Sequence, residues 1–186
     1  MSSNVIQHII LDRDGVINLD SDQFIKSPEE WQPIDGSLEA IAKLKQAGFI
    51  VGIASNQSGI GRGLFDLAAL NAMHNKMQQL LAKLGAYVDI IAFCPHTPDD
   101  HCGCRKPLPG LYRQLAKRWA IELEGIPVVG DSLRDLEAAI AADAQPLLVR
   151  TGKGAKTVEQ LSQHWRIPVF DDLGRAVDYL LQEQSC

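Results

Sequence analysis

The chain has 186 residues, 46% apolar and 22% charged, with 23 acidic against 18 basic residues and a net charge of −5. That length suits one domain with a full core (1–186), and the composition excludes a disordered, collagen-like or low-complexity chain. No Lys/Arg-rich run marks a nucleic-acid surface, and no apolar stretch approaches the roughly 18 residues of a membrane span. Met1-Ser2-Ser3-Asn4 lacks the basic start of a secretion signal. A soluble cytoplasmic protein is therefore expected, without a membrane or nucleic-acid partner.

Short apolar runs alternate with helical periods along the chain. Val5–Leu11 reads as a buried strand, Ser37–Gln46 as a helix stopped by Gly48, and Phe49–Ala54 as a second strand. Asp66 reads as the N-cap of a helix reaching about Lys83, with Leu67, Leu70, Met73, Met77 and Leu80-Leu81 on one face. Val88–Phe93 is a third strand, followed by a helix over Pro109–Ala120. Ile126–Val129 is a fourth strand, Leu133–Ala142 a helix and Pro146–Val149 a fifth strand. Thr157…Gln160 resembles a capping box that opens a further helix. Val169–Phe170 is an edge strand and Asp172–Gln182 a closing helix. This alternation predicts an α/β, doubly wound, mainly parallel sheet with helices on both faces. The irregular stretches, Gly15–Pro33, Ser55–Leu64 and Pro95–Leu108, each follow the C-terminal end of a strand, where open parallel sheets bind ligands.

Chemistry-bearing residues stand at those strand ends. The first carries Asp12-Arg13-Asp14-Gly15, which alone reads equally well as a turn or helix cap. The second carries Ser55-Asn56-Gln57-Ser58-Gly59-Ile60-Gly61-Arg62-Gly63. Its glycine spacing is not that of a dinucleotide fingerprint, and it lacks the Gly-Lys-Ser/Thr of a P-loop. After the third come Cys94, His96, Cys102 and Cys104, then Arg105-Lys106-Pro107. One imidazole and three thiolates within eleven residues are enough for a tetrahedral site with no open position, so a structural zinc is expected here over free buried cysteines or a reactive dithiol. Closing the loop onto a metal would fix the direction of Arg105 and Lys106. Cys186 reads as a bystander. The fourth end carries Gly130-Asp131-Ser132-Leu133-Arg134-Asp135. Separately these pieces are ambiguous. Together they bring two acid pairs, a hydroxyl and a lysine to one sheet edge. A phosphate among four carboxylates would be repelled, so a divalent cation with Lys106 and Arg105 is needed, and hard carboxylate donors suit Mg²⁺.

At these residues the chain resembles the haloacid dehalogenase (HAD) superfamily of phosphatases, over about residues 8–153. The matching motifs are Asp12-x-Asp14, Ser55, Lys106 and Gly130-Asp131-x3-Asp135. Within the superfamily it is similar to the branch that acts on heptose bisphosphates, on Gly-Ile-Gly-Arg-Gly (59–63) and Arg-Thr-Gly-Lys (150–153). Histidinol-phosphate phosphatases are the nearest rival branch. A signalling receiver domain is remote, because its lysine comes last whereas Lys106 precedes Asp131 and Asp135. Two departures stand out: a short stretch between His96 and Cys102, and Ser132 where some members carry lysine.

The resemblance implies that Asp12 is the nucleophile and that Asp14, kept protonated at rest, is the general acid and base. It implies that Ser55 and Lys106 hold the phosphoryl oxygens. Mg²⁺ would lie on Asp12, Asp131 and the Asp14 carbonyl, with Asp135 behind them. It further implies substrate contacts from Asn56, Gln57 and Ser58, a second-phosphate contact from Arg105, and a sugar-facing stretch Asp20, Ser21, Asp22 and Gln23. The segment 15–33 is too short for a separate cap domain. A monomer with an open site for a small sugar phosphate is expected.

Overall fold

The computed structural model describes residues 7–161 and 165–183. Val5 and Ile6 of the first predicted strand, and Cys186, lie outside them. Six strands make one sheet: β1 (His8–Leu11), β2 (Ile50–Asn56), β3 (Ile90–Cys94), β4 (Pro127–Gly130), β5 (Gln145–Val149) and β6 (Val169–Phe170). Their order is β3-β2-β1-β4-β5-β6, and every pairing is parallel. The helices are α1 (Ser37–Gln46), α2 (Ser58–Gly61), α3 (Leu67–Ala82), α4 (Gly110–Trp119), α5 (Leu133–Ile140), α6 (Gly154–Gln160) and α7 (Leu173–Glu183), with a 3₁₀ turn at Pro98–Asp100. Between β1 and α1 only isolated bridges form, Asp14 with Asn18 and Asn18 with Pro33, so no cap domain interrupts the sheet edge.

Strand alternation sends side chains to two cores. Ile9, Leu11, Val51, Ile53, Val129, Leu147 and Val149 join residues of α1, α3 and α7 on one face. Ile10, Ala54, Ala92, Cys94 and Val128 meet α4 and α5 on the other. Small residues on that second face allow close approach: a side chain at Gly52 would collide with the Trp119 ring. Each large apolar side chain taken fully out of water contributes about 1.5–3 kcal/mol.

The predicted elements all form, with ends shifted by at most two residues, save one helix and the first strand, which begins at His8 among the described residues. Asp66 caps α3 as expected, its carboxylate accepting from the Ala69 N–H at 2.8 Å. Val88 falls outside β3 because its backbone is satisfied by the Gln78 side chain, at 2.8 and 3.0 Å. The helix expected to open at Thr157 instead begins at Gly154 and ends at Gln160. Thr157 is interior, and its hydroxyl donates to the Asp131 carbonyl at 2.8 Å rather than capping a helix. No helix among the described residues is long and apolar enough to cross a membrane.

Candidate active site

Strand order reverses between β1 and β4, and their tips mark a topological switch point, where a crevice opens. The Asp12 N–H donates to the Val129 carbonyl at 2.9 Å, which fixes the two tips side by side. Asp12, Ser55, Lys106, Asp131 and Asp135 all line one cavity of about 360 Å³ there. Lys106 is buried at its floor. Its Nζ lies 3.0 Å from Asp12 Oδ1 and 2.6 Å from Asp135 Oδ1, and donates to the Ala54 carbonyl at 2.7 Å.

The acids are unequal. Burial raises the Asp12 carboxyl well above its ordinary value; Lys106 opposes this, while Asp135, Asp131 and Asp14 add to it. Asp131 is pushed up to about 7 by burial and the Asp135 charge, against an N–H bond from Lys153 at 2.7 Å. Burial would raise Asp135 too, but Lys106 and two bonds from Ser132, at 3.0 and 2.6 Å, bring it below the usual range. Asp135 therefore both closes the capping box of α5 and anchors Lys106. Asp131 fits only because positions 15 and 152 are glycines in left-handed backbone: a Cβ at either would collide with its Oδ2. Asp12, Asp131 and Asp135 each offer an oxygen, all within 4.8 Å of one another. Three carboxylates around one lysine, two of them buried, are short of positive charge, and hard oxygens in this arrangement fit Mg²⁺.

Asp14 departs from expectation. Burial, the largest single influence, would raise it, but the Arg13 guanidinium with hydrogen bonds from Asn18, Arg13 and Gln57 together outweigh burial, so its carboxyl sits below the usual value. Arg13 Nη2 lies 2.9 and 3.1 Å from the two oxygens, Asn18 Nδ2 2.9 Å and Gln57 Nε2 2.8 Å from them. All are donors, which favour the ionised form. The expectation that Asp14 is protonated at rest is thus corrected.

Two expected substrate contacts also have other partners. Gln57 is buried and bonds Asp14, Ser55 Oγ at 2.7 Å and Arg13 at 3.2 Å. Asn56 pairs both ends of its amide with the Lys106 backbone, at 3.0 and 3.1 Å. Both nonetheless line the cavity, as do Ser58, Arg105, Asp20, Ser21 and Asp22. Gln23 does not: it is exposed, and its N–H donates to Ser21 Oγ at 3.1 Å. Arg13, Asn18, Phe24 and Arg134 were given no role from sequence, and Arg62 and Lys153 entered only as parts of the Gly-Ile-Gly-Arg-Gly and Arg-Thr-Gly-Lys motifs. Lys153 spans to Asp20 at 3.1 Å and Asp22 at 3.6 Å. A charged residue between two acids at a strand end was the one available signal, for Arg13.

The soft ligands also converge. The thiols of Cys94, Cys102 and Cys104 lie 3.2–3.6 Å apart, and His96 Nδ1 is 3.5 and 3.4 Å from Cys94 and Cys104. Zinc–sulfur bonds of about 2.3 Å give tetrahedral edges of about 3.8 Å, so the set fits zinc. Gly110 lets α4 start against this loop, since a Cβ there would strike the Gly103 carbonyl.

Comparison with known proteins agrees with this geometry. Family models for HAD-hydrolase-like proteins and for polynucleotide kinase 3 phosphatase match residues 103–176 and 9–138. The chain is 57% identical to a D-glycero-beta-D-manno-heptose-1,7-bisphosphate 7-phosphatase of Bordetella bronchiseptica, covering 94% of this chain and 98% of that protein. It is 54% identical to the enzyme of that name from Pseudomonas aeruginosa, covering 94% and 97%. A crystal structure of the B. bronchiseptica phosphatase with magnesium and phosphate superposes with a TM-score of 0.94 at 56% identity, over 96% of this chain and 99% of that one.

Proposed function

The chain belongs to the D-glycero-beta-D-manno-heptose-1,7-bisphosphate 7-phosphatase family of HAD-like hydrolases, and on that premise we propose how its strand tips remove the 7-phosphate. It is a phosphoric monoester hydrolase. The observation that carries the residue assignments is Lys106, held between Asp12 and Asp135 at the floor of the cavity.

Asp12 attacks phosphorus and forms an aspartyl-phosphate, splitting one displacement into two. Lys106 and Ser55 hold equatorial oxygens, where charge gathers in the transition state. Asp14 is a carboxylate at rest, so it takes up a proton before the first step; the charge of the incoming phosphate raises its affinity for one. It gives that proton to the leaving sugar oxygen, then removes one from the water that hydrolyses the intermediate. Arg13, Gln57 and Asn18 hold its carboxyl in line, and Asn56 holds the Lys106 backbone. Asp12, Asp131 and the Asp14 carbonyl would hold Mg²⁺, which when bound offsets the repulsion between carboxylates and phosphate.

Cys94, His96, Cys102 and Cys104 hold a structural zinc in this reading. With the loop closed in this way Arg105 would point toward the substrate's second phosphate, while Asp20, Ser21 and Asp22 would face the sugar. We read the protein as one cytoplasmic domain and a monomer, its small cavity suited to a sugar phosphate rather than a polymer. Phosphate release from the β-heptose 1,7-bisphosphate is expected to exceed release from histidinol phosphate; the reverse order would overturn the substrate assignment.

A further inference from the structure

Resting on that reading, we infer that Gln57 is a positioning residue for the Ser55 hydroxyl: its amide, oriented by the buried Arg13, turns the Ser55 proton toward the phosphoryl group. Gln57 stands where β2 gives way to α2, and its N–H donates to the Cys94 carbonyl at 2.7 Å, which ties it to the tip of β3. The side chain is enclosed, with Gln57 4% exposed, Ser55 1% and Arg13 0%. Gln57 and Ser55 line the cavity, and Arg13 does not.

The direction of this relay follows from which groups can donate. A guanidinium only donates, so the Gln57 atom 3.2 Å from Arg13 Nη2 is the amide oxygen. The amide nitrogen then faces the other way, 2.7 Å from Ser55 Oγ and 2.8 Å from Asp14 Oδ2. The reverse orientation would set N–H against the guanidinium and carbonyl against the carboxylate, repulsions in place of bonds. An amide has two hydrogens, and both are taken here. Ionised Asp14 accepts one, so Ser55 Oγ accepts the other. A hydroxyl that accepts from an amide keeps its own hydrogen for a different acceptor. Among the described residues the bond from Gln57 is the one Ser55 Oγ makes. Its hydrogen is therefore left to the cavity, where the phosphoryl oxygens lie in the proposed reaction.

Arg13 serves the acid and the relay together. Its Nε and Nη2 lie 3.3 and 2.9 Å from Asp14 Oδ1, and the same Nη2 has a second hydrogen for Gln57. Because its head only donates, the relay cannot invert. A hydroxyl without a fixed donor rotates to suit its surroundings, and in a cavity lined by Asp12 and Asp14 it has carboxylates to turn to. Gln57 removes that freedom. The donor is then already aimed when charge develops on the phosphoryl oxygens, and nothing is spent on reorienting it. A glutamate at position 57 would accept from Ser55 and reverse the bond.

The test is a double-mutant cycle at positions 55 and 57. It is read as the dissociation constant of inorganic phosphate with Mg²⁺ present, by titration calorimetry, and as kcat/KM for the β-heptose 1,7-bisphosphate. Ser55→Ala is expected to weaken both by about tenfold or more in the otherwise unaltered enzyme. In the Gln57→Glu background it should cost less than about threefold, because there the hydroxyl already donates to the carboxylate. The charge that glutamate brings repels phosphate in both arms of the cycle and cancels. Gln57→Met, uncharged and of similar length, should give a value between these, with affinity for Mg²⁺ alone kept within about twofold. If the glutamate variant does not fold by circular dichroism, the methionine cycle decides by the same criterion. A Ser55→Ala cost equal within about twofold in all backgrounds, or a Mg²⁺ affinity that falls in step with that for phosphate, overturns the inference alone. Coupled phosphate binding in an enzyme that does not turn over the bisphosphate overturns the substrate reading and leaves the relay standing.

Discussion

Asp12 is held in a form its surroundings disfavour, since burial and three neighbouring acids raise its carboxyl well above the ordinary value. Its charge costs stability at neutral pH and is retained for chemistry. Asp12→Asn should therefore lower turnover by at least about a thousandfold while melting no lower than the parent without metal. Steady-state kinetics beside urea melts checks both, and normal turnover would remove Asp12 from its role. His74 shows the opposite logic away from the chemistry. It is buried on α3 against Phe93, its Nε2 has no partner among the described residues, and burial, then Arg13, push it down to about 4. The unfolded side chain titrates near 6.5, so the stability of the neutral ring is present above that pH and is lost as pH falls toward 4. The loss amounts to about 3 kcal/mol. His74→Phe should remove this dependence, narrowing the gap between urea midpoints at neutral and acid pH. An equal acid loss in both proteins would count against it.

The cysteine loop and β2 hold Arg105 and Lys106 by different means, and this separates their fates. Lys106 is tied to Asn56 by two backbone bonds and to Asp12 and Asp135 by its ammonium. Arg105 has only the His96 carbonyl. Cys102→Ser should lower zinc content and raise KM more than it lowers kcat, because Arg105 loosens while Lys106 stays; one zinc per chain in the variant would break the ligand assignment. At this scale the sequence was legible wherever periodicity and placement were enough. The strand tips were found because apolar runs end abruptly at Asp12, Ser55, Cys94 and Asp131. What stayed hidden was which donor meets which acceptor. Asn56 and Gln57 were correctly put at a strand end, but no spacing shows that one is taken up by the Lys106 backbone and the other by Asp14. Nor could local pattern show that Thr157 bonds the Asp131 carbonyl, because that contact spans 26 residues. The buried Arg13 was passed over for the same reason: its pairing with Asp14 depends on Gln57 and on the packing that closes over it.

Across the whole molecule, the sheet's reversal of order places β1 and β4 side by side and so forces Asp12 and Asp131 together, whatever their mutual repulsion. Folding energy from two apolar cores holds an arrangement that electrostatics opposes. A bound cation should then stabilise the fold as well as serve the reaction. A ligand present at about a hundred times its dissociation constant adds about 2.7 kcal/mol, which in a chain of this size raises the melting temperature by about 5–10 °C. Removing Mg²⁺ with a chelator should abolish turnover, restored on adding the ion back, and lower the melting temperature by that order. Asp131→Asn tests the cause, since it removes one of the crowded charges and one metal ligand together. The metal-free variant should melt above the metal-free parent, and its further rise on adding Mg²⁺ should be largely lost. Scanning calorimetry on both proteins with and without the ion gives the four values needed; an undiminished magnesium increment in the variant would mean that the ion binds elsewhere.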